Sequence, residues 1–224
     1  EGSLSAAYTF VLTVTGVNHA PSDIILSGTT IAENAGANAL IGNLSATDQD
    51  QGDTFTYSLV AGLGGTDNAF FNMVSNGSSY QLQMLSSADF EAKPSHDLRL
   101  KVTDAGGLSF EKAFTIAITN VNEAPTLASL SAQTTSEDTA KTVNLTPADP
   151  DGNLDCASAF IYTSSNTSVV AASSGGLSAV VFSGIWPACQ AVITPVANAS
   201  GSSNLTFTVS DGSLTSQQVF AMSV

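Results

Sequence analysis

The sequence predicts an all-β fold built from tandem β-sandwich domains, and three observations carry that expectation. Apolar and polar residues alternate at period two in many short runs, a set of landmarks recurs about 104 residues apart, and no stretch shows sustained helical apolar periodicity. A chain of 224 residues has room for two sandwich-sized domains.

The alternating runs come in order. Tyr8, Phe10, Leu12 and Val14 open the chain. Phe55-Thr-Tyr57-Ser-Leu59, Tyr80-Gln-Leu82-Gln-Met84 and Leu98-Arg-Leu100-Lys-Val102 follow. Phe114, Ile116 and Ile118 form another, as do Leu205, Phe207 and Val209. Period two turns one face of each run to a core and the other to water. Gly62-Leu-Gly-Gly65, Ser75-Asn-Gly77 and Ser173-Ser-Gly-Gly176 are predicted turns between runs.

Internal repetition sets the domain plan. Leu4 and Leu108, Pro21 and Pro125, and Glu33 and Glu137 are each separated by 104 residues. Asp48-x-Asp50 returns as Asp149-x-Asp151 at a shift of 101. The expected organisation is a final strand and linker of a preceding repeat over 1–19, one complete repeat over 20–123, and a second, divergent repeat over 124–224. Pro21 and Pro125 stiffen the linkers Asn18-His-Ala-Pro21 and Asn122-Glu-Ala-Pro125, because proline fixes φ and biases its predecessor toward extended geometry.

Composition narrows the partners. Asp plus Glu number 19 against 5 Lys plus Arg, giving a net charge of −14. Such a field repels nucleic-acid phosphates and anionic membrane surfaces. No apolar run is long enough to span a bilayer, so direct membrane insertion is not expected. Cys156 and Cys189 are the only cysteines and have no zinc-type spacing. They are either a disulfide, formed in an oxidising compartment, or two buried free thiols.

The acidic and amide residues are clustered in a set order: Glu33 in Ile-Ala-Glu-Asn, Asp48-Gln-Asp50, Asp89-Phe-Glu91, Asp104-Ala-Gly106, and Asn120-Val-Asn-Glu-Ala-Pro125. Oxygen ligands at such intervals suit a hard divalent cation, above all Ca²⁺. A lone Asp-x-Asp is more often a solvated turn; the order and spacing together carry the expectation. The set resembles the calcium motifs of cadherin repeats, in the form common in bacterial proteins, and Ile193-Thr-Pro-Val-Ala-Asn198-Ala-Ser-Gly201 resembles cadherin-like Ig modules of bacterial surface proteins.

That resemblance implies Greek-key sandwiches with calcium held at the junction of consecutive repeats. At the middle junction it implies Glu33, Asp89 and Glu91 from the first repeat, Asn120, Asn122 and Glu123 from the linker, and Asp149, Asp151 and Asp211 from the second. Asn18, Asp48, Asp50 and Asp104 would form half of an upper site whose other half precedes residue 1, so a weak site or none is expected there. His19 stands where the family has an acidic or amide residue. No counterpart of Asp89-x-Glu91 follows Glu137.

Other chemistry is thin. His96-Asp97 is expected to be a surface polar pair, since no Gly-x-Ser-x-Gly elbow is present and the second histidine, His19, lies in a linker. Trp186 is expected in the core beside the cysteines, with a sugar-stacking role as the alternative. Six Asn-x-Ser/Thr sequons, Asn76 and Asn166 among them, follow from the Ser and Thr content. The expected function is a non-enzymatic, calcium-rigidified adhesion or spacer module of a larger secreted or cell-surface protein. Its implied partners are neighbouring cadherin-like repeats and a protein or glycan of the cell surface or matrix. The alternative is a carbohydrate-binding module.

Overall fold

The computed structural model describes every residue except 1, 3, 4, 13–15, 76, 78 and 174–178. The chain divides into two compact units, residues 1–121 and 122–224. Each is a Greek-key sandwich, and each follows from its alternating runs.

In the first unit the strands are β1 (Asp23–Leu26), β2 (Thr30–Ala32), β3 (Ala39–Thr47), β4 (Thr56–Leu59), β5 (Phe71–Ser75), β6 (Tyr80–Met84), β7 (Ser95–Thr103) and β8 (Ser109–Thr119). Two four-stranded sheets result, ordered β1-β3-β6-β5 and β2-β8-β7-β4. β7 and β8 pair antiparallel from Ser95↔Ala117 to Thr103↔Ser109, while the short β2 lies parallel to the end of β8. Along β7 the inward set is His96, Leu98, Leu100 and Val102, all buried, with Asp97, Arg99 and Lys101 between them. Ile24, Leu82, Met84 and Ile116 are among the residues that join this core.

In the second unit the strands are β9 (Thr126–Leu127), β10 (Gln133–Thr134), β11 (Lys141–Leu145), β12 (Pro147–Ala148), β13 (Phe160–Ser164), β14 (Val180–Ile185), β15 (Ala188–Ile193), β16 (Ser202–Ser210) and β17 (Thr215–Ser223). The sheets are β10-β17-β16-β13 and β11-β15-β14, with β9 and β12 as a separate pair. Here too a short strand, β10, lies parallel to the last one, β17. The core centres on Phe207, which meets Phe182 and Phe220 edge-on at centroid distances of 5.1 and 4.9 Å, while Phe160 stacks on Phe182 at 5.2 Å.

Cys156 and Cys189 are joined as a disulfide within this core. It closes a loop of 33 residues. In the chain-entropy description a loop of that size is worth about 3–4 kcal/mol.

One sequence expectation meets a different outcome here. The opening run does not form a strand: Ser5–Leu12 has no strand partner among the described residues, and Tyr8, Phe10 and Leu12 are 79–91% exposed. Alternation makes a strand possible, and a neighbour is needed to hold it. Val14, at the end of that run, lies outside the described residues, as do Asn76 and most of the turn predicted at Ser173–Gly176.

Candidate metal centres

Three chain segments meet at one end of the first unit: Asn18-His19 ahead of β1, the Asp48–Asp53 loop after β3, and Asp104 directly after β7. The Asp50 amide donates to Asp48 Oδ1 at 3.0 Å, a turn closed by the aspartate itself. The His19 amide donates to Asp50 Oδ2 at 2.6 Å, and the His19 ring Nδ1 lies 3.2 Å from Asp50 Oδ1. Asn18 Nδ2 donates to Asp104 Oδ2 at 3.1 Å, and the Leu108 amide to Asp104 Oδ1 at 2.8 Å. A Cβ on Gly106 would collide with the Asn18 carboxamide, so a glycine at this position is a space requirement.

The second unit builds the same arrangement from Asn122, Glu123, Asp149, Asp151 and Asp211. The Asp151 amide donates to Asp149 Oδ1 at 3.0 Å, and the Glu123 amide to Asp151 Oδ2 at 2.6 Å. Asn122 Nδ2 donates to Asp211 Oδ2 at 2.8 Å, and the Leu214 amide to Asp211 Oδ1 at 2.7 Å. The correspondence holds bond for bond, although the shift grows from 101 residues at Asp48 to 107 at Asp104.

One atom is left over in each copy. Asp48 Oδ2 and Asp149 Oδ2 are shielded from solvent and have no hydrogen-bond partner among the described residues. A carboxylate oxygen taken from water without a donor is costly unless a cation or hydrogen-bond donor meets it. In the first unit, oxygens of Asp48, Asp53 and Asp104 all lie within 4.8 Å of one another, and Asp104 is 6% exposed. The donor set is oxygen only, which is the chemistry of calcium rather than of zinc or copper. Amide donors lower the pKa of two of the acids. The His19 amide and then its ring hold Asp50 below the ordinary aspartate value, and the amides of Leu214 and Ser213, then Asn122, do the same for Asp211.

Asp53 has no place in the sequence-derived set. The available signal is its position just after Gly52, whose φ of 88° turns the loop back toward Asp48.

At the other predicted position in the first unit, Glu33 is 2% exposed and accepts two main-chain donors: the Phe90 amide at 2.8 Å on Oε2 and the Val121 amide at 2.7 Å on Oε1. It ties β2 both to the loop after β6 and to the residue that ends the unit. Asn120 Nδ2 donates to Glu91 Oε1 at 3.2 Å, and oxygens of Glu33 and Glu91 approach within 4.8 Å. Asp89 is exposed and accepts the Ala92 amide at 2.8 Å. Glu137, 104 residues beyond Glu33, is exposed. The predicted middle set is thus distributed between the units, with Glu33, Asp89, Glu91 and Asn120 in the first and Asn122, Glu123, Asp149, Asp151 and Asp211 in the second.

Residues 122–222 match the family described as Bacterial Ig domain. Protocadherin Fat 2 of Rattus norvegicus is 33% identical over 131 residues, which cover 56% of this chain and 3% of that protein. Among solved structures, protocadherin gamma B7 extracellular cadherin domains 1–4 superimpose with a TM-score of 0.54 at 18% identity, over 90% of this chain and 49% of that one. Human protocadherin-24 EC1-2 superimposes with a TM-score of 0.54 at 16% identity, over 89% of this chain and 94% of that one. The fold is cadherin-like and Ig-like.

His96 corrects the expectation of a surface pair. It is 4% exposed, with Phe70 at a ring distance of 4.6 Å and Phe71 edge-on at 6.1 Å. Its Nδ1 has no partner among the described residues and sits 3.9 Å from Asp67 Oδ2, while Asp67 is bonded to Lys93 and to the Asp97 amide. Burial first, and then the Lys93 charge, lower its pKa, against the opposing charges of Asp67 and Asp97. The unfolded chain therefore takes up a proton near pH 6.5 while the folded chain resists. The resulting stability is complete above about pH 6.5 and falls as the pH drops through the folded value. Urea unfolding at pH 7.5 and 5.0 should show this loss in the parent and a smaller one in His96→Gln.

Trp186 is half-buried and packs against the second core, as expected. Among the described residues, no helix is long and apolar enough to cross a membrane.

Proposed function

We propose that the chain is a non-catalytic, calcium-binding spacer or adhesion module of a larger secreted or cell-surface protein of bacterial origin. The observation that carries this reading is the repeated orphan oxygen, Asp48 Oδ2 in one unit and Asp149 Oδ2 in the other, each set in the same lattice of amides and carboxylates. Asp48, Asp50, Asp53 and Asp104 would hold one ion. Asp149, Asp151 and Asp211, with Asn122 and Glu123, would supply ligands from the second unit, and Glu33, Asp89, Glu91 and Asn120 are candidate ligands in the first. An extracellular placement and neighbouring repeats as partners are part of this proposal, supported by the likeness to cadherin domains. The glycan-binding alternative needs an open aromatic face at Trp186, and the packing of Trp186 against the core speaks against it.

The ion would bind a connector already held at both its sides. The Val121 amide is fixed by Glu33 and the Glu123 amide by Asp151, two residues further along the chain. Binding confined to one arrangement of the connector would favour that arrangement by about 2.7 kcal/mol at a hundredfold excess over Kd. Extracellular calcium modules commonly have Kd of about 10⁻⁴–10⁻³ M.

Calorimetric calcium titration is the test. The parent chain should bind calcium in that range, and Asp149→Asn and Asp48→Asn should each lower the stoichiometry. Small-angle scattering should show a smaller spread of dimensions with calcium than with EDTA. Unchanged stoichiometry in both variants would remove the orphan oxygens from the ligand set and the reading with them.

A further inference from the structure

Three carboxylates of the first unit converge with no basic side chain paired to them. One oxygen each of Asp48, Asp53 and Asp104 lies within 4.8 Å of the other two. Calcium holds its oxygens at about 2.3–2.6 Å, so two ligands of one ion stand at most about 5 Å apart. The trio is inside that limit. Like charges this close repel unless a cation stands among them. Among the described residues, the lysine and arginine ion pairs lie elsewhere, Lys93 with Asp67, Arg99 with Glu111 and Lys112 with Asp23. Asp48, a member of the trio, is the acid whose Oδ2 is shielded from solvent and lacks a donor.

The second unit repeats the Asp-x-Asp turn but not the trio. Asp53 follows Gly52 directly, whereas Asn153 and Leu154 separate Gly152 from the next acid, Asp155. Asp155 is exposed and spends its oxygens on its own turn: Oδ1 accepts the Ala157 amide at 3.2 Å and Oδ2 the Ser158 hydroxyl at 2.8 Å. Among the described residues, the acids of that unit form no such group of three by themselves. Asp53 Oδ1 accepts the neighbouring Thr54 amide at 3.0 Å. A carboxylate offers about four lone-pair sites, so Asp53 and the doubly bonded Asp104 both keep acceptor capacity for an ion. Asp53 also lines an open cleft of about 310 Å³ with Asn18 and Asp50, which gives an ion access from solvent.

We propose, resting on the calcium reading above, that Asp53 is the affinity-determining ligand of the first unit and closes a cup that needs no donor from outside that unit. Calcium affinity rises with the charge count and rigidity of the ligands, and Asp53 adds a third carboxylate to Asp48 and Asp104. Water completes the six to eight oxygens that the ion takes. The share of the site that the family resemblance assigns to a preceding repeat is supplied here by the loop after β3. The second unit, with Asp155 engaged in its own turn, has no equivalent ligand of its own.

A calcium titration of the whole chain followed by amide NMR shifts tests this cup by cup. The amides of Asp50 and Leu108 are bonded to Asp48 and Asp104 and report the first cup. Those of Asp151 and Leu214 are bonded to Asp149 and Asp211 and report the second. Asp53→Asn keeps an acceptor for the Thr54 amide, so the fold should hold. It should raise the calcium midpoint at Asp50 and Leu108 by about tenfold or more and leave that at Asp151 and Leu214 in place. Asp155→Asn should leave both midpoints in place. An unchanged first midpoint in Asp53→Asn overturns the proposal, as does a loss at the second cup in Asp155→Asn equal to that at the first in Asp53→Asn. Shifts at Asp151 and Leu214 alone in the parent would also overturn it while the calcium reading stands for the second unit. A parent in which calcium moves neither set would remove both.

Discussion

Glu33→Ala is expected to destabilise the first unit by about 3 kcal/mol, a large effect for one substitution. The carboxylate is almost fully buried, and each of its oxygens holds one main-chain amide, Phe90 at 2.8 Å and Val121 at 2.7 Å. Removing it leaves both donors short of a partner, and hydrogen bonds to charged groups are worth about 1.5–3 kcal/mol each. Glu33→Gln keeps one acceptor and presents its amide NH2 to the other donor, so about half the loss should remain. Urea unfolding gives the magnitude. Amide hydrogen exchange gives the location, with faster exchange at residues 90 and 121 in Glu33→Ala and little change along β6. Uniform acceleration across the unit would mean that Glu33 acts as a general core residue and not as a clamp on the connector. If it is the clamp, the same variant should also bind calcium less tightly.

Phe207→Ala should be costlier, at about 3–5 kcal/mol. Phe207 is fully buried and meets Phe182 and Phe220 edge-on, so truncation removes both ring contacts and leaves a void between sheets that cannot close fully. Chemical denaturation monitored at Trp186, which packs in the same core, reads the second unit. A loss below about 1 kcal/mol would mean that the two sheets collapse onto the gap. Calcium binding by the first unit's acids should be retained.

Much of the fold was legible because strand alternation and the repeated linker are local signals. Leu98, Leu100 and Val102 read as an inward row and are buried. The same parity, carried back one step, puts His96 on that row, yet a histidine beside an aspartate reads as surface when taken as a pair. Asp53 was hidden for a different reason: its role depends on how Gly52 turns the loop, which spacing does not express. The opening run shows the opposite failure, since alternation at Tyr8, Phe10 and Leu12 is clear but pairing is a property of two segments. The disulfide could be posed as a pair and not decided, because its formation depends on Cα atoms brought to 5.4 Å by the fold. The matched hydrogen bonds at Asp48 and Asp149 lay beyond sequence reading, since their shifts differ by several residues across the set.

Those matched bonds bear on what happens before any metal arrives. Asp48 and Asp149 each spend one oxygen closing their own turn, and Asp50, Asp104, Asp151 and Asp211 are each seized by protein amides. The carboxylates are aimed by donors inside the same unit, so on the proposed reading little ordering entropy would remain to be lost when an ion binds.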